Sequence, residues 1–179
     1  WLPRSFFVAH REDVLAFFAD AAARLPASCG SLGLGLAGEN RRRKQALAAR
    51  HPGLDISDPR SVSTDLGDRL AGVGWHTLLG GPMLGKLGGA VELQRVLPDV
   101  AVEPLPHGGC RLVLSRDPEI GDVNRHDLLP RYRVVARFFH NAGLLHLPKH
   151  VVYFVDQDDM ADPDAMEKWH RRFVDDGGQ

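Results

Sequence analysis

Apolar positions along the chain fall into two spacings, and the switches between them mark the elements. From Arg11 to Leu25, the residues Val14, Leu15, Phe17, Phe18, Ala21 and Ala22 recur at helical intervals. That spacing predicts an amphipathic helix, ended by Pro26 and Gly30. Residues 1–9 carry Phe6, Phe7 and Val8 in a row and read as a short strand. From Ser31 to Gly38, Leu32, Leu34 and Leu36 alternate with glycines, which predicts a strand with one apolar face and one bare face. A bare face receives something closely packed, such as a helix. Asn40 is placed to cap a helix running to about Arg50, and His51-Pro52-Gly53 stops it.

Residues 55–71 are polar and turn-rich around Asp58-Pro59. Ala71 to Leu79 reads as a buried strand around Trp75, followed by a short helix from Pro82 to Leu87 and another from Val91 to Leu97, with Gly88-Gly89 between. Val100–Leu105 and Cys110–Ser115 flank Pro106-His107-Gly108-Gly109 and form a predicted hairpin. After a polar loop at 116–126, Leu128–Asn141 is a strong helix, with Pro130 in its first turn and Val134, Val135, Phe138 and Phe139 expected inward. Val151–Val155 reads as a strand, and Asp162-Pro163 caps a last helix holding Met166, Trp169 and Phe173. Helices and strands alternate without a regular βαβ beat. The expected fold is therefore α+β, a mixed or antiparallel sheet with helices packed against it, in one domain over residues 1–179.

Composition narrows the function classes. A chain of 179 residues buries a core without help from metal or disulfide. Its 22 basic and 23 acidic side chains leave a formal charge of -1, which argues against a broad nucleic-acid surface while allowing a local basic patch. Cys29 and Cys110 stand far apart and read as reduced thiols of a cytoplasmic protein. No apolar run reaches the roughly 20 residues that cross a bilayer. The first residue is Trp1, not Met, so the lack of a signal peptide carries no weight.

Few motifs carry chemistry. Gly33-x-Gly35-x-x-Gly38, with Asp55 and Asp58 downstream, resembles a dinucleotide fingerprint. Its glycines lie inside the predicted strand instead of after it, and packing glycines are the better reading. Arg41-Arg42-Arg43-Lys44 sets positive charge against a helix N-terminus, an unfavourable arrangement that hints at an acidic or phosphate partner; a solvated helix face is the plainer account. His146 and His150 are separated by Leu147-Pro148, and no metal-binding spacing exists, so no metal or cofactor is expected. Two acidic loops remain. Asp117, Glu119 and Asp122 lie in the first, where Asp122, Asn124 and Asp127 also suit turns and helix caps. Asp156, Asp158, Asp159 and Asp162 lie in the second, without the spacing of a calcium loop.

The run Gly72-Val73-Gly74-Trp75-His76-Thr77-Leu78-Leu79-Gly80, then Leu87-Gly88-Gly89, resembles the central signature of the bacterial type VI immunity family. Members typically read Gly-Val-x-Trp-Leu-x-x-Leu-Gly there, often with Asn before the Trp; Gly74 and His76 depart from that pattern. Further matches are Arg50-His51-Pro52-Gly53-Leu54-Asp55, Gly121-Asp122 with Arg125, Pro130-x-Tyr132, and Trp169-x-x-x-Phe173, so the resemblance covers nearly the whole chain. It implies a cytosolic antidote to a VRR-Nuc type nuclease effector delivered by type VI secretion, covering the toxin's active site or DNA-binding surface. Family chains carry a further upstream segment, which makes this sequence the expected C-terminal major part of a longer immunity protein. The pattern contains no catalytic residue to carry over.

The leading expectation is therefore a non-enzymatic toxin inhibitor, with no membrane and no direct nucleic-acid contact. Its contacts with a basic nuclease surface would be Asp117, Glu119, Asp122, Asp156, Asp158, Asp159 and Asp162. Two alternatives stay open: a small hydrolytic enzyme using the acidic and histidine loop 117–127, and a nucleic-acid or nucleotide module using residues 33–44. The sequence leaves the oligomeric state undecided.

Overall fold

The computed structural model describes residues 3–25, 27–36, 40–57, 69–146, 154–155 and 162–175. Among them, four strands form one sheet, antiparallel throughout: β1 (Cys29–Leu32), β2 (His76–Leu79), β3 (Ala101–Pro104) and β4 (Cys110–Val113), in the order β1-β2-β4-β3. Seven helices accompany it: α1 (Arg4–Ala9), α2 (Arg11–Arg24), α3 (Arg41–Arg50), α4 (Gly81–Lys86), α5 (Gly89–Val96), α6 (Pro130–Asn141) and α7 (Pro163–His170). The fold is α+β, as expected, and no helix among the described residues is long and apolar enough to cross a membrane.

The central strand β2 is buried at every position, which explains why its sequence lacks an apolar/polar alternation. Register puts Thr77 opposite Leu112 and Leu79 opposite Cys110. All four are fully buried and face the main core, with Leu93, Leu97, Val135 and Phe139 packed into the same cluster. Burial pushes the Cys110 thiol up to about 11, so it behaves as a small apolar residue. On the opposite face His76 lies across from Val113 and Leu78 across from Arg111. There Phe18 of α2 meets the His76 ring edge-on at 5.9 Å, and Arg111 pairs with Glu103 of β3.

Three expectations need correction. Residues 4–9 form α1, not a strand. A helix lets Phe7 turn its ring edge-on to Trp75, 5.9 Å away, while Phe6 and Val8 stay exposed and Phe6 stacks on His10 at 4.5 Å. The strand in the Leu/Gly repeat ends at Leu32. The chain then leaves the sheet and runs beside residues 54–56, with Leu36 N donating to Asp55 O and Asp55 N to Leu34 O. In α6 the buried residues are Tyr132, Val135, Ala136 and Phe139, at i, i+3, i+4 and i+7, and Val134 is 55% exposed. The strand expected at 151–155 lies outside the described residues apart from Phe154 and Val155.

The helix caps follow the sequence closely. The side chains of Asn40 and Asp162 accept from the backbone N–H groups of Arg43 and Ala165, three residues on in each case. The end of the described chain is fastened by arginines. Arg133 donates to the carbonyls of Arg172 and Asp175, Arg137 to that of Val174, and Arg172 to those of Pro52 and Trp169. These guanidinium groups supply donors to carbonyls at and just past the end of α7 and complement the dipole of the helix.

His76 is 4% exposed, and among the described residues its Nδ1 has no hydrogen-bond partner. Burial first, then the positive charge of Arg111, holds it down to about 4. His170, 9% exposed, is likewise held at about 4, chiefly by burial and then by Arg172. Both folded values lie below the unfolded 6.5, so the unfolded chain takes up protons first as pH falls. The stability these residues contribute is complete above pH 6.5 and is lost between 6.5 and 4, up to about 3 kcal/mol for each histidine. Urea unfolding is expected to show a clearly lower midpoint at pH 4.5 than at pH 7. His76→Leu should flatten that dependence, and equal wild-type midpoints would contradict it. Separately, replacing Arg133 and Arg137 together by Ala should destabilise the fold by about 2 kcal/mol. Hydrogen exchange should accelerate first in residues 171–175.

Candidate functional site

The end of α3 and the polar loop before α6 close on each other as a clasp. Arg50 Nε donates to Asp122 Oδ1 at 3.2 Å and Nη2 donates to Oδ2 at 2.8 Å, a two-point pair joining residues far apart in sequence. Beside it, His51 Nδ1 lies 2.6 Å from Gly121 O, and Gly53 N donates to Ile120 O at 2.8 Å. The backbones approach so closely that a Cβ on Gly53 would lie 2.3 Å from the carbonyl oxygen of Glu119. Only glycine fits there.

Asp122 organises the loop itself. Its side chain accepts from Asn124 N and caps the 3-10 turn Val123–Arg125, and its backbone exchanges two hydrogen bonds with Asp127. The hydrogen bonds from Arg50, together with that from Asn124 and the nearby positive charge, hold this carboxyl below its usual range. The loop then passes through two left-handed residues, His126 (φ 57°) and Leu129 (φ 53°). Leu129 is 2% exposed, so its burial offsets a strain on the order of 1–3 kcal/mol. Behind the loop, the Tyr132 hydroxyl engages the Glu119 backbone and the Ser115 side chain, and Phe173 packs on the Tyr132 ring at 5.5 Å. Arg172 completes the cluster. It donates to Pro52 O at 2.8 Å and lies 3.6 Å above the Trp169 ring, and burial lowers its pKa to about 10.

The acidic residues singled out from sequence occupy different settings. Asp117 is 69% exposed at the outer end of the loop, with Arg11 Nε 3.3 Å from its carboxylate. Glu119 is exposed. Asp122 is 14% exposed and engaged by Arg50. Asp162 is half-buried as the cap of α7. Asp156, Asp158 and Asp159 lie outside the described residues. Sequence reading identified the acids but missed what holds them: Arg50, Gly53, Tyr132 and Arg172. Arg50 and Gly53 do stand in one matched motif, and Tyr132 in another, so the signal was present without the pairing.

The structure bears on the two alternative readings as well. His126 is exposed on the turn, at the surface instead of in a deep cleft beside a carboxylate. Among the described residues, no cluster of His, Cys, Asp and Glu could hold a metal ion. Gly33 and Gly35 follow β1 instead of lying within it, which corrects their expected placement. That strand pairs antiparallel with β2, unlike the parallel unit of a dinucleotide fold, and Gly38 lies outside the described residues.

A family model described as type VI immunity for VRR-NUC matches residues 1–173. In three dimensions the chain is similar to the Pseudomonas aeruginosa T6SS protein PA0821, with a TM-score of 0.78 and 22% identity, over 98% of this chain and 52% of that one. At that identity the likeness shows the fold, and the chain spans about half the length of the solved protein. No curated protein matches the chain.

If the clasp fixes the loop, Asp122→Ala should release it. Limited trypsin digestion is expected to cut after Arg116 and Arg125 at least several-fold faster than in the wild type, with the main core still folded by circular dichroism. Unchanged cleavage would mean the loop holds its shape without the pair.

Proposed function

The chain belongs to the type VI immunity family for VRR-NUC, and from that membership we propose that it binds a cognate VRR-Nuc nuclease effector and neutralises it by covering the active site or the DNA-binding surface. The observation supporting this reading is the clasped loop with Asp117 and Glu119 exposed on it. A nuclease surface that grips DNA is basic, and exposed carboxylates on a fixed loop complement it. Fixing the loop beforehand also lowers the ordering entropy that binding would otherwise lose.

In this reading the acids divide the work. Asp117 and Glu119 meet the effector directly. Asp122 acts through the loop, since its carboxylate is occupied by Arg50, and Asp162 acts through the start of α7. Asp156, Asp158 and Asp159 supply a second acidic contact. The chain works as a single binding domain in the cytoplasm, without cofactor, and inhibits by occupancy instead of by chemistry.

Co-expression with the effector encoded beside this gene tests the reading. Wild type is expected to rescue growth and to co-purify with the effector. Asp117→Arg with Glu119→Arg should slow association about tenfold or more at low salt, and the difference should shrink at high ionic strength, where exposed charges are screened. Normal folding with neither rescue nor co-purification would sink the proposal.

A further inference from the structure

Helix α2 turns two adjacent phenylalanines in different directions. Phe18 lies edge-on to His76 of the sheet, while Phe17 is 75% exposed. Val14 and Ala22 set the buried side of the helix, and Asp13, Phe17 and Asp20 form its outer stripe. On that stripe Asp13 stands one turn before Phe17 and Asp20 one turn after it, both exposed. Ala16, also exposed, is too small to shield the ring. The stripe continues onto α1: the exposed Phe6 ring stacks on His10 at 4.5 Å, and His10 Nδ1 lies 3.4 Å from Asp13 Oδ2. Phe6 and Phe17 are the exposed phenylalanines among the described residues, and both stand on this helix pair. Aromatic rings bordered by charge have the make-up of interface anchors.

The first turn of α2 adjoins the clasped loop. Arg11 donates to Arg116 O at 2.6 Å, and its Nε lies 3.3 Å from Asp117 Oδ1. Phe17 is six residues further on, about 9 Å along the axis. An interface of about 800 Å² per partner spans that separation easily. Residues 10–20 hold Glu12, Asp13 and Asp20 against a single base, Arg11, which is engaged by Glu12 and the loop. Arg24 bonds Asp20 in an exposed pair, weak enough for a partner's cation to replace.

We propose that Phe17 anchors the effector interface, covered by an arginine or lysine of the nuclease's DNA-gripping surface that places its charge beside Asp13 and Asp20. This inference rests on the immunity reading and adds the outer face of α2 to the acidic loop as contact surface. Charge selects the occupant. A basic side chain satisfies the ring face and the flanking carboxylates together. A second copy of this chain does not: a two-fold contact centred on Phe17 sets Asp13 and Asp20 against their own counterparts.

Binding kinetics of the full gene product with the nuclease-inactivated effector encoded beside it test the proposal. Phe17→Ala should unfold at the wild-type urea midpoint yet leave the effector about tenfold faster or more. Phe17→Tyr, which keeps the ring, should leave at close to the wild-type rate. Asp13→Arg with Asp20→Arg should slow association several-fold at low salt and by less at high salt; association unchanged by that reversal overturns the basic occupant. Wild-type dissociation of Phe17→Ala overturns the anchor and leaves the immunity reading standing. A clearly lower urea midpoint for Phe17→Ala also overturns it, because the chain itself then covers the ring. So does self-association of the free protein that Phe17→Ala abolishes, which gives the face to a second copy. If the wild type forms no complex with the effector, both readings fall.

Discussion

The rest of the loop architecture depends on backbone meeting backbone at Gly53. With a side chain there, the end of α3 could not approach Glu119 and Ile120, and Arg50 and His51 would lose their reach to Asp122 and Gly121. Once the approach is made, the consequences run outward in both directions. Towards α6, the loop must re-enter the core through the left-handed Leu129. Towards the chain end, the free carbonyl of Pro52 becomes an acceptor for Arg172, which draws Trp169 and Phe173 into place. One glycine therefore allows a satellite cluster of Ala48, Ile56, Phe154, Met166 and Trp169 to sit beside the main core.

The strain in this arrangement is placed where packing can hold it. An isolated loop would avoid left-handed conformations at His126 and Leu129, because a side chain there crowds the backbone. Leu129 is retained by burial, and His126 by the short turn that Asp122 caps. The loop's shape is thus imposed from outside, by the Arg50 pair and the core beneath it. Such a loop presents its exposed carboxylates in one geometry.

Most of the secondary structure was legible because its signals are local. Helices α2, α3 and α6 were readable from spacing and caps, and the β3–β4 hairpin from its turn. The misreadings have a common cause in long-range packing. Three apolar residues in a row at 6–8 suit strand or helix equally, and only the docking of Phe7 on Trp75 decides. The Leu/Gly alternation continues past Leu32 because the chain remains extended, but its partner changes from β2 to residues 54–56. The clasp was legible only as fragments. Arg50 and Asp122 stand 72 positions apart, and an ion pair between them leaves no periodicity, so Asp122 looked like an exposed acid with turn chemistry.

That distinction bears on how an immunity fold can change partners. The matched motif residues Arg50, Gly53, Asp122, Tyr132, Trp169 and Phe173 are nearly all consumed internally, as ion pairs, close approaches or buried rings. They carry the shape of the surface without forming most of it. Asp117 and Glu119 are exposed, and an exposed ion pair such as Arg11–Asp117 contributes about 1 kcal/mol or less to stability. Substitution there alters the charge shown to a partner while the clasp remains intact. The fold therefore keeps the groups that fasten the loop apart from the carboxylates exposed on it, and a change in the second leaves the first in place.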